Sequence, residues 1–311
     1  MNQQTLQQGI KAALITALIS GFAVFINKFA VSGWADSAAF TTSRNIFTAL
    51  LLSFLLLQSG KIKELKALTS KNWLKLILIG LLGGSIPFLM FFQAIKMIPA
   101  SQAAFIHKSL FLWGGLLAFI FLKERFSKWQ LAALGLFSLG VILSGAPNQW
   151  SWGTGLWLVL GATLFWAVEN IIAKPLLREI SSVTLGWGRM FFGSIFLLAY
   201  LVFAGKTSGM LPISYAQTGW MILSGVILFG YVVSWYWALK NAPASVVTSI
   251  LVAAAPITSY LETIFVTHKF PAKLIAPSLL TALGILLISN WLENTITQHR
   301  KKRTELPQAL S

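Results

Sequence analysis

Few side chains in this 311-residue sequence can do chemistry, and most of those that can are embedded in apolar runs. Trp166, Glu169 and Asn170 are spaced i, i+3, i+4, which puts an indole, a carboxylate and an amide on one helical face. Such a face can stack on a small molecule and hold its polar end. His107 and Lys108 stand side by side in another apolar run, with Phe111 close behind. They offer a cation to attract a carboxylate and an imidazole suited to proton exchange near neutral pH. Tyr231 and Trp235 share a face at i and i+4, and Glu262 follows Thr258 and Ser259 in a late apolar run. Each residue also has a plainer reading. Glu169 pairs with a nearby Lys, Lys108 and Lys28 snorkel to an interface, Tyr231 and Trp235 fill a bundle, and Glu262 pairs with Lys269 or Lys273. Arg44 and Arg189 are read as structural, held by carbonyls or lipid phosphate near opposite membrane faces.

Composition narrows the setting of that chemistry. The chain is 56% hydrophobic and 10% charged, against roughly 25% charged residues in soluble domains, and its mean hydropathy is +0.75. A soluble enzyme, a nucleic-acid-binding domain and a disordered regulator are excluded. The net charge of +16 is spread over short breaks between apolar runs rather than along one polar face, so no nucleic-acid partner is expected. With no cysteine, thiol, disulfide and metal-thiolate chemistry are absent. No metal, P-loop, nucleophile-elbow or paired-carboxylate motif is present, and no cofactor is expected. The first apolar run is too long for a signal-peptide core and reads as a span.

The elements that must position these residues are membrane helices. About 20 apolar residues cross the hydrocarbon core, and ten runs approach or exceed that length: about 10–32, 37–59, 73–95, 100–122, 129–146, 154–176, 183–204, 217–239, 244–267 and 273–292. Of the 24 Lys and Arg, sixteen fall in breaks on the side of the N-terminus and five on the other. The bias predicts both termini in the cytoplasm of a multi-pass protein in the cell inner (plasma) membrane. Pro87 and Pro256 predict kinks in the third and ninth spans. Glycines at 80, 83, 84, 114, 115, 135 and 140 predict close helix approach.

An internal repeat organises the spans. Ala94-Ile-Lys96-Met-Ile-Pro99-Ala100-Ser101 matches Ala238-Leu-Lys240-Asn-Ala-Pro243-Ala244-Ser245, and at nearly the same offset Arg44 pairs with Arg189, Gly60 with Gly205 and Lys28 with Lys174. Each copy holds five spans. Five is odd, so the second copy enters the membrane inverted, a design of secondary transporters. The expected fold is therefore an all-α integral membrane protein, ten transmembrane helices arranged as two inverted five-helix repeats. The expected division is a first repeat at 1–147, a second at 148–297 and a basic cytoplasmic tail without fixed structure at 298–311.

The sequence resembles the EamA-type branch of the drug/metabolite transporter superfamily. The resemblance runs from about residue 10 to 292. It rests on Phe121-Leu-Lys-Glu124-Arg-Phe126 followed by Trp129-Gln130 and Gly135, Gly140 and Gly145, on Arg44 and Arg189, on the two Pro-Ala-Ser turns, and on Trp166-Ala167-x-x-Asn170. It departs after the ninth span, where Thr267-His268 stands in place of the expected Gly-Glu and Glu262 lies inside the helix. The resemblance implies a ten-helix fold and export of small metabolites, often amino acids, across a bacterial inner membrane. The expected activity is secondary transport of a zwitterionic or aromatic metabolite by alternating access at a midplane cavity. Trp166, Glu169, Asn170, His107, Lys108, Phe111, Tyr231, Trp235 and Glu262 are the candidate substrate-binding residues. The alternative is efflux of lipophilic cationic drugs, for which Glu169 is suited; a membrane-embedded enzyme or a non-transporting scaffold fits less well. Expected partners are a small-molecule substrate, the lipid bilayer and protons as coupling ion, with the chain a monomer or weak homodimer.

Overall fold

Helices begin and end at the breaks between apolar runs. The computed structural model describes residues 3–124, 128–143, 151–268 and 272–288, and every regular element among them is helical. In chain order these are α1 (Gln3–Ser32), α2 (Ser37–Gln58), α3 (Ile62–Lys66), α4 (Ser70–Gly84), α5 (Ile86–Met97), α6 (Ala100–His107), α7 (Leu110–Leu122) and α8 (Lys128–Leu143). They continue with α9 (Thr154–Leu176), α10 (Ser182–Phe203), α11 (Tyr215–Asn241), α12 (Ala244–Ile250), α13 (Ala254–Phe265) and α14 (Ala272–Ile288). Eight helical stretches are long and apolar enough to cross a membrane, with α4–α5, α6–α7 and α12–α13 each forming one stretch. The expected fifth and tenth spans correspond to α8 and the shorter apolar α14; at 1.5 Å per residue the 16 residues of α8 extend only about 24 Å. Arg125 and Phe126, Gly145, Lys269, the tenth span beyond residue 288 and the basic tail at 298–311 lie outside the described residues.

Local chemistry fixes the ends. The Asp36 carboxylate accepts from the N–H groups of Ala38 and Ala39 and so caps α2. Ser181 and Ser214 cap α10 and α11 in the same way. α2 and α10 both stop at a glycine with φ of +66°, Gly60 and Gly205, a conformation that a side chain disfavours. The next N–H in each case, from Lys61 or Lys206, reaches back to the carbonyl of Leu56 or Leu201, closing the turn.

Three spans are interrupted. α4 gives way to α5 at Ser85, just before Pro87, as the proline predicts. The ninth span breaks at a 3-10 turn, Leu251–Ala253, before Pro256. The fourth breaks at Lys108–Ser109, where no proline announces it.

Elements from the first half of the chain pack chiefly on elements from the second. α1 runs along α11 and also meets α13, α10 lies against α2 and α4, α5 against α9, α7 against α9 and α12, and α6 against α13. Small residues set the closest approach. A Cβ on Gly84 would lie 2.2 Å from the Arg189 carbonyl oxygen, and one on Gly193 would lie 2.6 Å from the Gly84 carbonyl oxygen. Gly80, Gly114 and Gly140 are likewise contact positions, whereas Gly135 faces open space, so its expected packing role is not observed. Outward faces carry large apolar side chains such as Leu50, Phe54, Phe119, Ile120 and Phe203, a surface suited to lipid rather than water.

α3 lies outside the spans and tethers α10. Glu64 accepts from the Ser181 N–H at 3.1 Å and from the Thr184 hydroxyl at 2.6 Å, and it pairs with Lys61 at 3.2 Å. Partial burial pushes its carboxyl up, but hydrogen bonds from Thr184, Ser181 and Lys61 outweigh that and hold it down at about 2, below the ordinary 4.5. A depressed carboxyl stabilises the fold above its unfolded value, and the contribution fades as pH falls from there through the folded value. Glu64→Gln should therefore lower the thermal unfolding midpoint in detergent at pH 7. The gap to the parent should narrow between pH 4.5 and 2, and a gap that stays constant over that range would count against the tether.

Candidate functional site

The site begins with a missing hydrogen. In a continuous helix the Gly83 carbonyl would accept from the N–H of residue 87, but residue 87 is proline and has none. A buried carbonyl needs another donor, and two side chains from other helices supply it. Trp166 Nε1 on α9 donates to the Gly83 oxygen at 3.0 Å, and Arg189 Nη2 on α10 donates to it at 3.0 Å. The next carbonyl, of Gly84, accepts from Asn45 Nδ2 on α2 at 3.1 Å. The Asn45 side-chain oxygen in turn accepts from Arg44 Nε at 3.1 Å and Nη2 at 2.6 Å. The helix break thus gathers α2, α9 and α10 around the α4–α5 junction.

A central cavity opens beside this node. Its polar walls are Ser20 and Asn27 of α1, Arg44, His107, Arg189 and Tyr231; its apolar walls include Phe88, Phe91, Trp166 and Leu228. His107 packs edge to face against Phe91 and Trp166, whose own rings are tilted to each other, with centroids 4.9–5.8 Å apart. His107 Nδ1 lies 3.3 Å from the Thr163 hydroxyl. No carboxylate is among the lining side chains.

Three of the candidate residues, His107, Trp166 and Tyr231, line the cavity. Three more stand immediately behind it. Glu169 is buried and accepts from the Tyr236 hydroxyl at 2.5 Å. Asn170 accepts from Trp235 Nε1 at 3.0 Å, and the Trp235 ring stacks on Tyr231 at 5.8 Å. The remaining three lie elsewhere. Phe111 meets Phe137 edge to face. Lys108 is buried at the α6–α7 break, its ammonium without a hydrogen-bond partner among the described residues, so it does not snorkel to an interface. Glu262 accepts from the Ser101 N–H at 2.8 Å at the start of α6.

For Arg44 and Arg189 the expected pairing with a carbonyl is seen at Arg189, which donates to Gly83, but their placement near opposite membrane faces needs correction. Each lies seven residues from the start of its helix, and the two helices enter from opposite ends, which reads as opposite faces. In a helix of 22 residues that depth is about 11 Å, a third of the way in, from where a long side chain reaches further inward. Their guanidinium carbons sit 4.9 and 5.5 Å from the centre of one ring, Phe88. They are cavity residues that the structural reading missed; equivalent placement in the two halves was the available signal.

Charged side chains also tie helix ends together in matched pairs. Lys28 donates to the carbonyls of Ile95 and Ile98 at the end of α5, and Lys174 donates to those of Leu239 and Ala242 at the end of α11. Orphan carbonyls and the helix dipole make those ends good cation sites, so Lys28 is not snorkelling. The Glu124 carboxylate accepts from the N–H groups of Ala244 and Ser245 and from the Ser245 hydroxyl, as Glu262 does from Ser101. Both Pro-Ala-Ser turns are therefore capped by a carboxylate from the other half. His268 stands where Glu124 would repeat, and Glu262 supplies the carboxylate from within α13.

Comparison with known proteins places these features in a family. Residues 7–146 and 153–290 each match the EamA-like transporter family. A protein of Streptantibioticus cattleyicolor described as a probable terminal-alkyne amino-acid exporter is 24% identical over 210 residues, covering 67% of this chain and 69% of its own. An uncharacterized transporter of Haemophilus influenzae is 28% identical over 290 residues, 90% of each chain. A crystal structure aligns with TM-score 0.72 over 95% of this chain and 99% of its own, at 13% identity, a likeness of fold.

Proposed function

Because this chain belongs to the EamA-like transporter family, we propose that it is a secondary transporter that exports a small metabolite by alternating access at the central cavity. Family membership makes it a multi-pass membrane transporter of a small molecule, not an enzyme. The finer reading takes the cargo to be an amino acid or a similar zwitterionic or aromatic compound. One observation carries it: side chains from α1, α2, α5, α6, α9, α10 and α11, drawn from both halves, converge on one cavity of aromatic faces and a few polar groups. Such convergence is characteristic of small-molecule sites. The description of the Streptantibioticus relative also supports an amino-acid cargo. The lack of a lining carboxylate disfavours the cationic-drug alternative.

Two inverted five-helix repeats, 1–147 and 148–297, with the tail at 298–311, are supported by the matched contacts of Lys28 with Lys174, Gly60 with Gly205, and Glu124 with Glu262. A rocking of one repeat against the other then alternates the cavity between faces. The cavity is complete within one chain, in keeping with a monomer or weak homodimer. The test is uptake of labelled amino acids by proteoliposomes, with and without a pH gradient; accumulation that follows the gradient supports protons as coupling ion. No uptake of any amino acid would sink the cargo assignment. Orientation is read separately. The chain has no cysteine, so Ser59→Cys and Thr207→Cys need no altered background. An impermeant maleimide should label Thr207→Cys but not Ser59→Cys in intact bacterial cells. The reverse pattern would turn the inner-membrane topology over and place both termini outside.

A further inference from the structure

Arg44 and Arg189 are 1% and 2% exposed, and both line the cavity. Neither has an aspartate or glutamate within salt-bridge distance among the described residues. Arg44 spends Nε and Nη2 on the neutral Asn45 oxygen. Arg189 uses Nη2 on the Gly83 carbonyl and leaves Nε and Nη1 buried without a hydrogen-bond partner among the described residues. Glu169, engaged by Tyr236 and outside the cavity lining, flanks Arg189 at Gly83, where an added Cβ would lie 2.9 Å from the carboxyl carbon and 3.2 Å from Arg189 Nε; it offsets part of the charge of Arg189 and leaves that of Arg44. Two guanidiniums sharing one aromatic ring repel each other, one neighbouring carboxylate leaves a net positive charge, and a buried charge without full compensation is costly. Packing that holds them there creates demand for an anion between them. A guanidinium fork fits a planar two-oxygen anion best.

We propose that the cavity binds the carboxylate of its cargo between Arg44 and Arg189 at Phe88, so that the transported class is small organic carboxylates, amino acids included, and not amines. The proposal rests on the reading of the cavity as the transport site. Phe88, Phe91, Trp166 and Tyr231 then enclose the apolar part. The amino group of an amino acid meets no carboxylate among the described lining residues, only Ser20, Asn27, the Tyr231 hydroxyl and His107, together with aromatic faces. The ammonium is therefore tolerated rather than required.

The test separates the two ends of one molecule. Purified protein in lipid nanodiscs is heated with phenylalanine, with 3-phenylpropanoate, which lacks the amine, with 2-phenylethylamine, which lacks the carboxylate, or with sodium chloride. Phenylalanine and 3-phenylpropanoate should raise the unfolding midpoint saturably; the amine and chloride should not. Arg44→Gln and Arg189→Gln should each weaken the apparent Kd for 3-phenylpropanoate about 10- to 100-fold, the usual range for a hydrogen bond to a charged group. Arg44→Gln carries the test if Arg189→Gln, which also loses its bond to Gly83, fails to fold. Stabilisation by the amine or by chloride equal to that by 3-phenylpropanoate overturns the proposal, as does no response to either carboxylate or binding indifferent to both substitutions. Proteoliposome uptake distinguishes the underlying reading. Arginine-dependent carboxylate binding without uptake keeps the anion site and removes the transport role. Uptake of 2-phenylethylamine that survives both Arg→Gln changes keeps transport and removes the carboxylate site.

Discussion

Gly84→Ala should be among the most damaging single-methyl additions to this protein. The new Cβ would lie 2.2 Å from the Arg189 carbonyl oxygen and 3.0 Å from the Gly193 Cα. Both obstacles are backbone, so no rotamer change relieves the overlap, and α4 and α10 must separate along their contact. Overpacking in tight cores costs about 1–3 kcal/mol, sometimes more, and a backbone obstacle puts this case at the upper end. The expected result is a fall of several degrees or more in the unfolding midpoint in detergent, with a smaller monodisperse fraction on size exclusion. Gly135→Ala is the matched control, because nothing among the described residues lies within 4 Å of its Cβ position. Its midpoint should stay level or rise, since alanine is the better helix former. Equal losses in the two variants would remove the close-contact explanation.

The largest expected effect on transport is at Trp166. Trp166→Ala removes a cavity wall, an aromatic partner of His107 and Phe91, and one of two side-chain donors to the Gly83 oxygen. Transport of any cargo that the wild type moves should fall roughly tenfold or more at matched expression, given the worth of a buried aromatic contact plus a hydrogen bond. Trp237→Ala supplies the comparison. Trp237 lies on α11 and is 45% exposed, so its loss should leave the rate nearly unchanged. Trp166→Phe separates the two roles, since it keeps an aromatic wall and loses only the N–H. A rate in Trp166→Ala equal to that in Trp237→Ala would take the cargo away from Trp166.

What the sequence made legible follows the physics of helices. Apolar run length and breaker residues identify most helix ends within about three residues among those described, because lipid forces backbone polar groups into helices; α1 instead starts seven residues before the expected residue 10. Helical spacing placed Trp166, Glu169 and Asn170 on one face, and the structure keeps them together at the node and just behind the cavity. Spacing says nothing of which face of a neighbouring helix lies opposite, so Arg44 and Arg189 were assigned to separate membrane faces. The break at Lys108 left no sign because no proline causes it. Glu262 was legible as an oddity, but its task was not. Recognising that it replaces a carboxylate absent at His268 requires the contact with Ser101, 161 residues away.

Pro87 constrains positions that share no stretch of chain with it. By withholding one N–H it makes the Gly83 oxygen an acceptor that Trp166 and Arg189 serve, so the three residues form a single epistatic unit. Pro87→Ala would offer the oxygen a local N–H and turn two partners into competitors. Losing Trp166 and Arg189 while keeping Pro87 would strand the oxygen instead. The effects of changes at 87, 166 and 189 should therefore not sum, and the order in which they were fixed matters. A lineage that gave up the proline first would release the indole and guanidinium from their duty to the Gly83 oxygen, though not from their places in the cavity, whereas one that began with the tryptophan would weaken the oxygen's hydrogen bonding and the cavity wall in one step.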